Sequence, residues 1–133
     1  MFNKVLITSL LSLIPLIGYS ANIVINPITG FSDATVVSPI GGNPGTTLGA
    51  QRLNTFQKAA DILETFLDVK IDIKVDAAFS ALTCGPGSGV LGSAGATNGK
   101  INFANAPAAN TIYPIALANN LASSDLNSTT AEI

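Results

Sequence analysis

The chain has 133 residues, 47% of them hydrophobic, with six basic and eight acidic side chains, a net charge of −2, one cysteine and no histidine. That weak acidic balance excludes a basic face for nucleic acid or for an anionic membrane surface. Zinc sites rely on histidine and cysteine ligands, and a nucleophilic cysteine relies on a neighbouring base, so neither chemistry can be built here in its usual form.

The N-terminus reads as a targeting segment. Lys4 supplies a positive start, Val5 to Ile17 is mostly apolar, and Gly18-Tyr19-Ser20 places small residues at a cleavage point, which together predict a secretory signal peptide over 1–20. A spanning helix needs about 20 apolar residues, and this run is shorter and interrupted by Pro15. The expectation is an exported protein, periplasmic or extracellular, with no membrane contact after cleavage. Residues 21–133 keep five basic residues, since Lys4 leaves with the leader, against eight acidic ones. They suffice for a single small domain.

In chain order, Asn22 to Pro27 predicts a first strand, and Val36-Val37 a second short extended piece. Gly41-Gly42-Asn43-Pro44-Gly45 is a loop that cannot be helical. Thr46 or Thr47 then stands as N-cap of a long amphipathic helix. Leu53, Phe56, Ala60, Leu63 and Leu67 recur at steps of three and four, and Ala59, Ile62 and Phe66 widen the stripe. Gln51, Asn54, Lys58, Asp61, Thr65 and Asp68 hold the opposite side.

From Val69 the period changes to two. Val69, Ile71, Ile73, Val75 and Ala77 alternate with Lys70, Asp72, Lys74 and Asp76, which predicts a half-buried strand with a charged outer face. Cys84-Gly85-Pro86-Gly87-Ser88-Gly89 reads as turn or loop. Val90-Leu91 and Ile101 to Phe103 read as short strands, separated by a loop from Gly92 to Lys100. Tyr113-Pro114 opens a short helix over Ile115 to Leu121. Ser123 to Thr130 is polar and turn-like, and Ala131-Glu132-Ile133 begins a further strand. The fold class expected is therefore α+β, with one long amphipathic helix packed on a small, incomplete mixed β-sheet. An open apolar edge on that sheet would invite self-association.

Motif by motif, chemistry is sparse. Gly87-Ser88-Gly89-Val90-Leu91-Gly92 has the spacing of a dinucleotide loop, but loop precedes it and more glycine follows, where a strand and a helix are required. Gly95 to Lys100 is one residue short of a phosphate loop, and Ile101 stands where a magnesium-binding hydroxyl belongs. Asp72 and Asp76, interleaved with lysines, read as a solvated face, and Asp61 and Glu64 as surface helix positions. Asn127-Ser128-Thr129 is a glycosylation sequon. Cys84 reads as structural, with an intermolecular bond, a free thiol or a missing partner as alternatives. No catalytic, cofactor-binding or metal-binding residue is assigned from these patterns.

The run Thr47-Leu48-Gly49-Ala50-Gln51-Arg52-Leu53-Asn54, continuing Phe56-Gln57-Lys58-Ala59-Ala60-Asp61-Ile62, resembles a family of secreted bacterial zinc metallopeptidase-like proteins, some with a protease-associated domain. The resemblance extends through Leu82-Thr83-Cys84 and Val90 to Gly95. It resumes at Ala106-Pro107, Asn110-Thr111, Tyr113-Pro114, Ala116 to Asn119 and Leu121-Ala122, and so covers most of residues 21–133. Leu63 and Ile112 stand where tryptophan is common in that family. The resemblance implies a helix and sheet like the N-terminal half of a zincin-like catalytic domain. It also implies a continuing strand after Ala131, a second cysteine, and a later helix with an H-E-x-x-H zinc motif. None of those is present, so no family catalytic residue maps onto this chain. The expected function is an N-terminal scaffold fragment, truncated at its C-terminal end and inactive by itself, with zinc and a peptide substrate belonging only to intact relatives. The alternative is a complete small secreted binding or adhesive module.

Overall fold

A strand, a helix and a second, parallel strand form the kernel. The computed structural model describes residues 22–128 and 130–133; the signal peptide expected over 1–20 lies outside them. β1 spans Ile23–Thr29, α1 Leu48–Glu64 and β2 Ile73–Ala78. β1 and β2 pair in parallel with Ile23 opposite Ile73, Ile25 opposite Val75 and Pro27 opposite Ala77. Parallel neighbours require a crossover, and α1 supplies it. The register puts Ile23, Ile25, Ile73, Val75 and Ala77 on one face. Ile23 and Ala77 there are buried, and the other three are half-buried. Val24, Asn26, Ile28 and Asp76 lie on the opposite, exposed face.

Thr47 caps α1 as its sequence predicts: its Oγ1 accepts the Ala50 N–H at 3.2 Å. The two preceding N–H groups do not face solvent. Leu48 N–H donates to the Thr35 carbonyl and Gly49 N–H to the Asp33 carbonyl, both at 2.9 Å. This explains why position 49 is glycine. A Cβ there would collide with the Phe31 carbonyl, so loop 31–35 seats directly on the first turn. Gly30 (φ +82°) makes the turn out of β1, and a Cβ on it would fall 2.7 Å from Phe79 Cβ.

The helix ends earlier than its stripe suggests, and the strand begins later. A helix feeding a parallel strand must finish near the start of β1, and the Ile23 N–H accordingly donates to Glu64 Oε1 at 2.6 Å. Residues 65–72 then return the chain to the sheet. Lys70 N–H donates to Asn120 Oδ1 at 3.0 Å rather than to a ladder. Of the apolar stripe, Ala60 is buried and Leu53 and Phe56 are half-buried, whereas Ile62, Leu63, Phe66 and Leu67 are exposed.

Beyond β2 the elements are short. β3 (Cys84–Gly85) and β4 (Ser88–Gly89) form a hairpin around Pro86-Gly87. β5 (Gly99–Lys100) pairs antiparallel with β6 (Tyr113–Pro114), which opens directly into α2 (Ile115–Ala122). The start of α2 at Pro114 agrees with the sequence. Two expected strands in this stretch do not form: Val90-Leu91 is exposed, with Leu91 100% accessible, and Ile101 to Phe103 lies outside the ladders. The sheet thus becomes three two-stranded ladders rather than one mixed sheet. The class is α+β.

The last three residues dock on the free side of β2. Glu132 N–H donates to the Lys74 carbonyl at 2.9 Å, and Asp76 N–H to the Ile133 carbonyl at 2.7 Å. The segment runs in the direction of β2, but these few bonds do not make a ladder, and the further strand expected from Ala131 does not form. Buried apolar residues are few and mostly small: Ile23, Ala60, Ala77, Ile115, Ala118 and Ala131.

Candidate functional site

Buried polar side chains concentrate in one place, between β2, α2 and the final segment. Glu132 and Asn119 are each 1% exposed. Glu132 Oε2 accepts the Lys74 N–H at 2.6 Å, and its Oε1 accepts from Asn119 Nδ2 at 3.2 Å. Asn119 Nδ2 also donates to Asn127 Oδ1 at 2.8 Å, while its Oδ1 accepts the Leu126 N–H at 2.9 Å. Asn127 Nδ2 donates to the Thr130 carbonyl at 2.6 Å. Thr97 fastens the other side, its hydroxyl donating to the Ala131 carbonyl and its N–H to the Glu132 carbonyl.

Lys74 reaches the rim of this cluster. Its Nζ donates to the Ser128 carbonyl at 2.8 Å and lies 3.5 Å from Asp125 Oδ2. Asp125 Oδ1 accepts the N–H groups of Asn127 and Ser128. Those backbone donors, the Asn127 N–H foremost, hold the Asp125 carboxyl below its ordinary value, with Lys74 adding to the effect. No buried side-chain polar atom among the described residues lacks a partner. A carboxylate whose two oxygens are both engaged, at 1% exposure, has no path to a substrate. The cluster joins chain segments; it does not present a general base.

The sequence placed Glu132 on a strand but did not single it out. The signal was a lone carboxylate between Ala131 and Ile133 in an apolar alternation, a position that demands buried donors.

A second constellation lies where β1 and β2 end. Phe31, Phe56 and Phe79 meet edge to face in all three pairings, at 5.6, 5.7 and 5.8 Å between centroids. The Arg52 guanidinium sits 4.9 Å from the Phe79 centroid and donates to the Gly30 carbonyl and to Asp33 Oδ2. Asp33 is held below its ordinary value first by its hydrogen bonds with Thr35, with Arg52 contributing. Ligands of parallel α/β sheets commonly bind beyond the carboxyl ends of the strands, at a helix N-terminus. Here the Asp33 and Thr35 carbonyls take the first α1 donors, so that position is closed to an anion.

An open groove of about 740 Å³ runs between loop 41–44 and the outer side of α1, lined by Asn54, Lys58, Asp61 and Ile62 among others. Asn43 fixes its wall, donating to the Gln51 carbonyl and accepting from Asn54 Nδ2. Among the described residues lining it, the one hydroxyl, Thr55, is committed to the Gln51 carbonyl.

The other sequence candidates are scattered. Gly87 to Gly92 forms one arm of the exposed hairpin and the loop after it, and the next helix starts only at Ile115. Gly99-Lys100 is strand. Asp61 is exposed as expected, whereas Glu64 is half-buried and caps Ile23. Asp76 accepts from Asn26 across the ladder at 2.7 Å instead of pairing with a lysine. Cys84 is exposed and free. The sequon lies partly outside the described residues, at Thr129; Asn127 itself has both amide atoms engaged. Among the described residues, no group of three or more His, Cys, Asp or Glu could hold a metal ion, and no helix is long and apolar enough to cross a membrane.

No family model, curated protein or solved structure matches the chain.

Proposed function

We propose that this chain is the scaffold portion of an exported zinc metallopeptidase-like protein and has no peptidase activity by itself. The observation that carries the reading is the use made of the residues that bear the resemblance. Thr47, Gly49, Arg52, Asn54 and Phe56 cap, seat and brace α1, and Asn119 ties α2 to the final segment. These are framework roles. The chain carries no histidine, so water activation by a zinc helix would have to come from other residues of the intact protein. In this proposal the helix and its parallel pair serve as the first half of a zincin-like layer, with zinc and a peptide substrate entering only in intact relatives. The signal-like pattern over 1–20 of the sequence supports reading it as an exported protein.

A peptidase assay on the protein recovered after export tests this. No cleavage of a mixed peptide library, with or without added zinc, is expected; zinc-dependent cleavage by the purified chain would overturn it.

A second reading, a small exported binding or adhesive module, draws on a different observation. Residues 80–102 are exposed throughout, and the groove beside α1 is open. A sharp, cooperative thermal transition with dispersed amide resonances would favour the module; a molten profile would favour the scaffold portion.

A further inference from the structure

β5 is entered through Asn98-Gly99. Packing imposes glycine there: a Cβ at position 99 would fall 2.7 Å from Ile112 Cγ2 and 3.0 Å from the Tyr113 carbonyl oxygen. The ladder fixes where the Gly99 N–H points. Gly99 pairs with Pro114, which has no N–H to exchange, and the Asn98 carbonyl accepts the Ile115 N–H at 3.1 Å. Positions 99 and 114 are therefore a non-hydrogen-bonded pair, and the Gly99 N–H turns away from β6. Among the described residues it meets no carbonyl outside the ladder. Asn98 is exposed, and its side-chain amide takes part in no hydrogen bond among the described residues.

A free asparagine amide followed by a free, unhindered backbone N–H sets an electrophile beside a nucleophile. Hydroxide removes the Gly99 amide proton, and the nitrogen attacks Asn98 Cγ. The new N–C bond closes a succinimide ring as the Cγ–Nδ2 bond breaks; ammonia leaves with a proton from water, which restores the hydroxide. Water then opens the ring at either carbonyl, giving aspartate or isoaspartate. Ring closure needs torsional freedom, and β5–β6, a two-stranded ladder joined to no other, is the kind of pairing that opens most cheaply. Asn127-Ser128 has the opposite arrangement. Both amide atoms of Asn127 are engaged, and the Ser128 N–H donates to Asp125 Oδ1 at 2.7 Å.

We propose that Asn98-Gly99 is a self-modification site, and that its isoaspartate product loosens the seam between α2 and the closing segment. Isoaspartate carries the former side-chain carbon in the main chain. The backbone lengthens beside the carbonyl that holds the Ile115 N–H, the first donor of α2. The preceding residue, Thr97, is the one that fastens Ala131 and Glu132. Water is the only co-reactant.

The test ages the purified full chain in mildly alkaline heavy-oxygen water, folded or in urea, and maps its peptides by mass spectrometry. Folded wild type should take up heavy oxygen at position 98 at least about tenfold faster than at Asn127. Urea should speed Asn127 far more than Asn98. Asn98→Gln, whose larger ring closes slowly, should stay unmodified at that position. The isoaspartate form, separated by its added negative charge, should exchange the Thr97 and Ile115 amide protons at least about tenfold faster than the unaged chain. Asn98→Asp, which has the charge without the longer backbone, should keep the slow exchange. The proposal is overturned if folded Asn98 stays intact while urea makes it react. It is equally overturned if isoaspartate leaves both amides protected, or if Asn98→Asp exposes them as much.

Discussion

Glu132 accepts the backbone N–H of Lys74 at 2.6 Å, across 58 residues of sequence, with the carboxylate 1% exposed. The same lysine sends its side chain to the turn 125–128, so one residue of β2 holds both ends of the closing segment.

Replacing Glu132 by alanine strands two buried donors, the Lys74 N–H and one N–H of Asn119. An unsatisfied buried polar group costs about 1–3 kcal/mol, more where the lost partner was charged. Glu132→Ala should therefore lower unfolding free energy by about 2–4 kcal/mol, read by urea titration. An unchanged midpoint would show that water replaces the carboxylate.

The Asp125 carboxyl ionises below its ordinary value of 3.8 in the folded chain. Its folded pKa is depressed, so its contribution to stability is present above the unfolded value and is lost as pH falls through the folded one. Asp125→Asn should flatten the acid limb of the stability profile below about pH 4, where wild type loses stability progressively. Denaturant midpoints between about pH 5 and pH 2 would show it. The site is a third exposed, and the effect should shrink with salt as Lys74 is screened.

Gly49 and Gly92 offer a matched contrast. An alanine at 49 gains up to about 1 kcal/mol of helix propensity but collides with backbone at Phe31, and overpacking costs about 1–3 kcal/mol. Backbone cannot step aside as a side-chain tip can, so the collision wins, and Gly49→Ala should lower Tm. Gly92 has open space around its Cβ direction, so Gly92→Ala should shift Tm by less than about 2 °C. Equal shifts would contradict the seating of loop 31–35 on α1.

Arg52 braces the aromatic trio by packing, charge and two hydrogen bonds. Both bonds leave one guanidinium nitrogen, Nη1; Arg52→Lys keeps the charge but loses the planar group beside the Phe79 ring and the fixed direction of those donors. A loss of about 1–2 kcal/mol is expected, with altered near-ultraviolet or ring-proton signals from Phe79. Equal stability would assign Arg52 to solvent.

Local signals were legible in the sequence where a single residue decides a local geometry. Thr47 caps α1, Pro114 starts α2, and Ile73, Val75 and Ala77 share a face as their alternation says. The helical stripe was legible as a direction only. Periodicity tells which side of α1 is apolar, but whether Ile62, Leu63 and Phe66 meet a neighbour depends on chain elsewhere, and among the described residues they stay exposed. The alternation from Val69 began too early because Lys70 is drawn to Asn120. Val90-Leu91 failed as a strand because two apolar residues amid glycine have no partner strand to order them. Glu64 and Glu132 could not be found by spacing, since each acts on backbone 41 or 58 residues away. The candidate site suffered most. Motif spacing drew attention to glycine loops, whereas the polar network is an assembly of asparagines and carboxylates from distant segments.

The most direct measurement is the metal content of the purified protein after equilibration with zinc and removal of free ion. Scaffold without metal ligands predicts zinc far below one ion per chain and an unfolding curve unmoved by chelator. One tightly held zinc per chain, with stability lost on chelation, would contradict it.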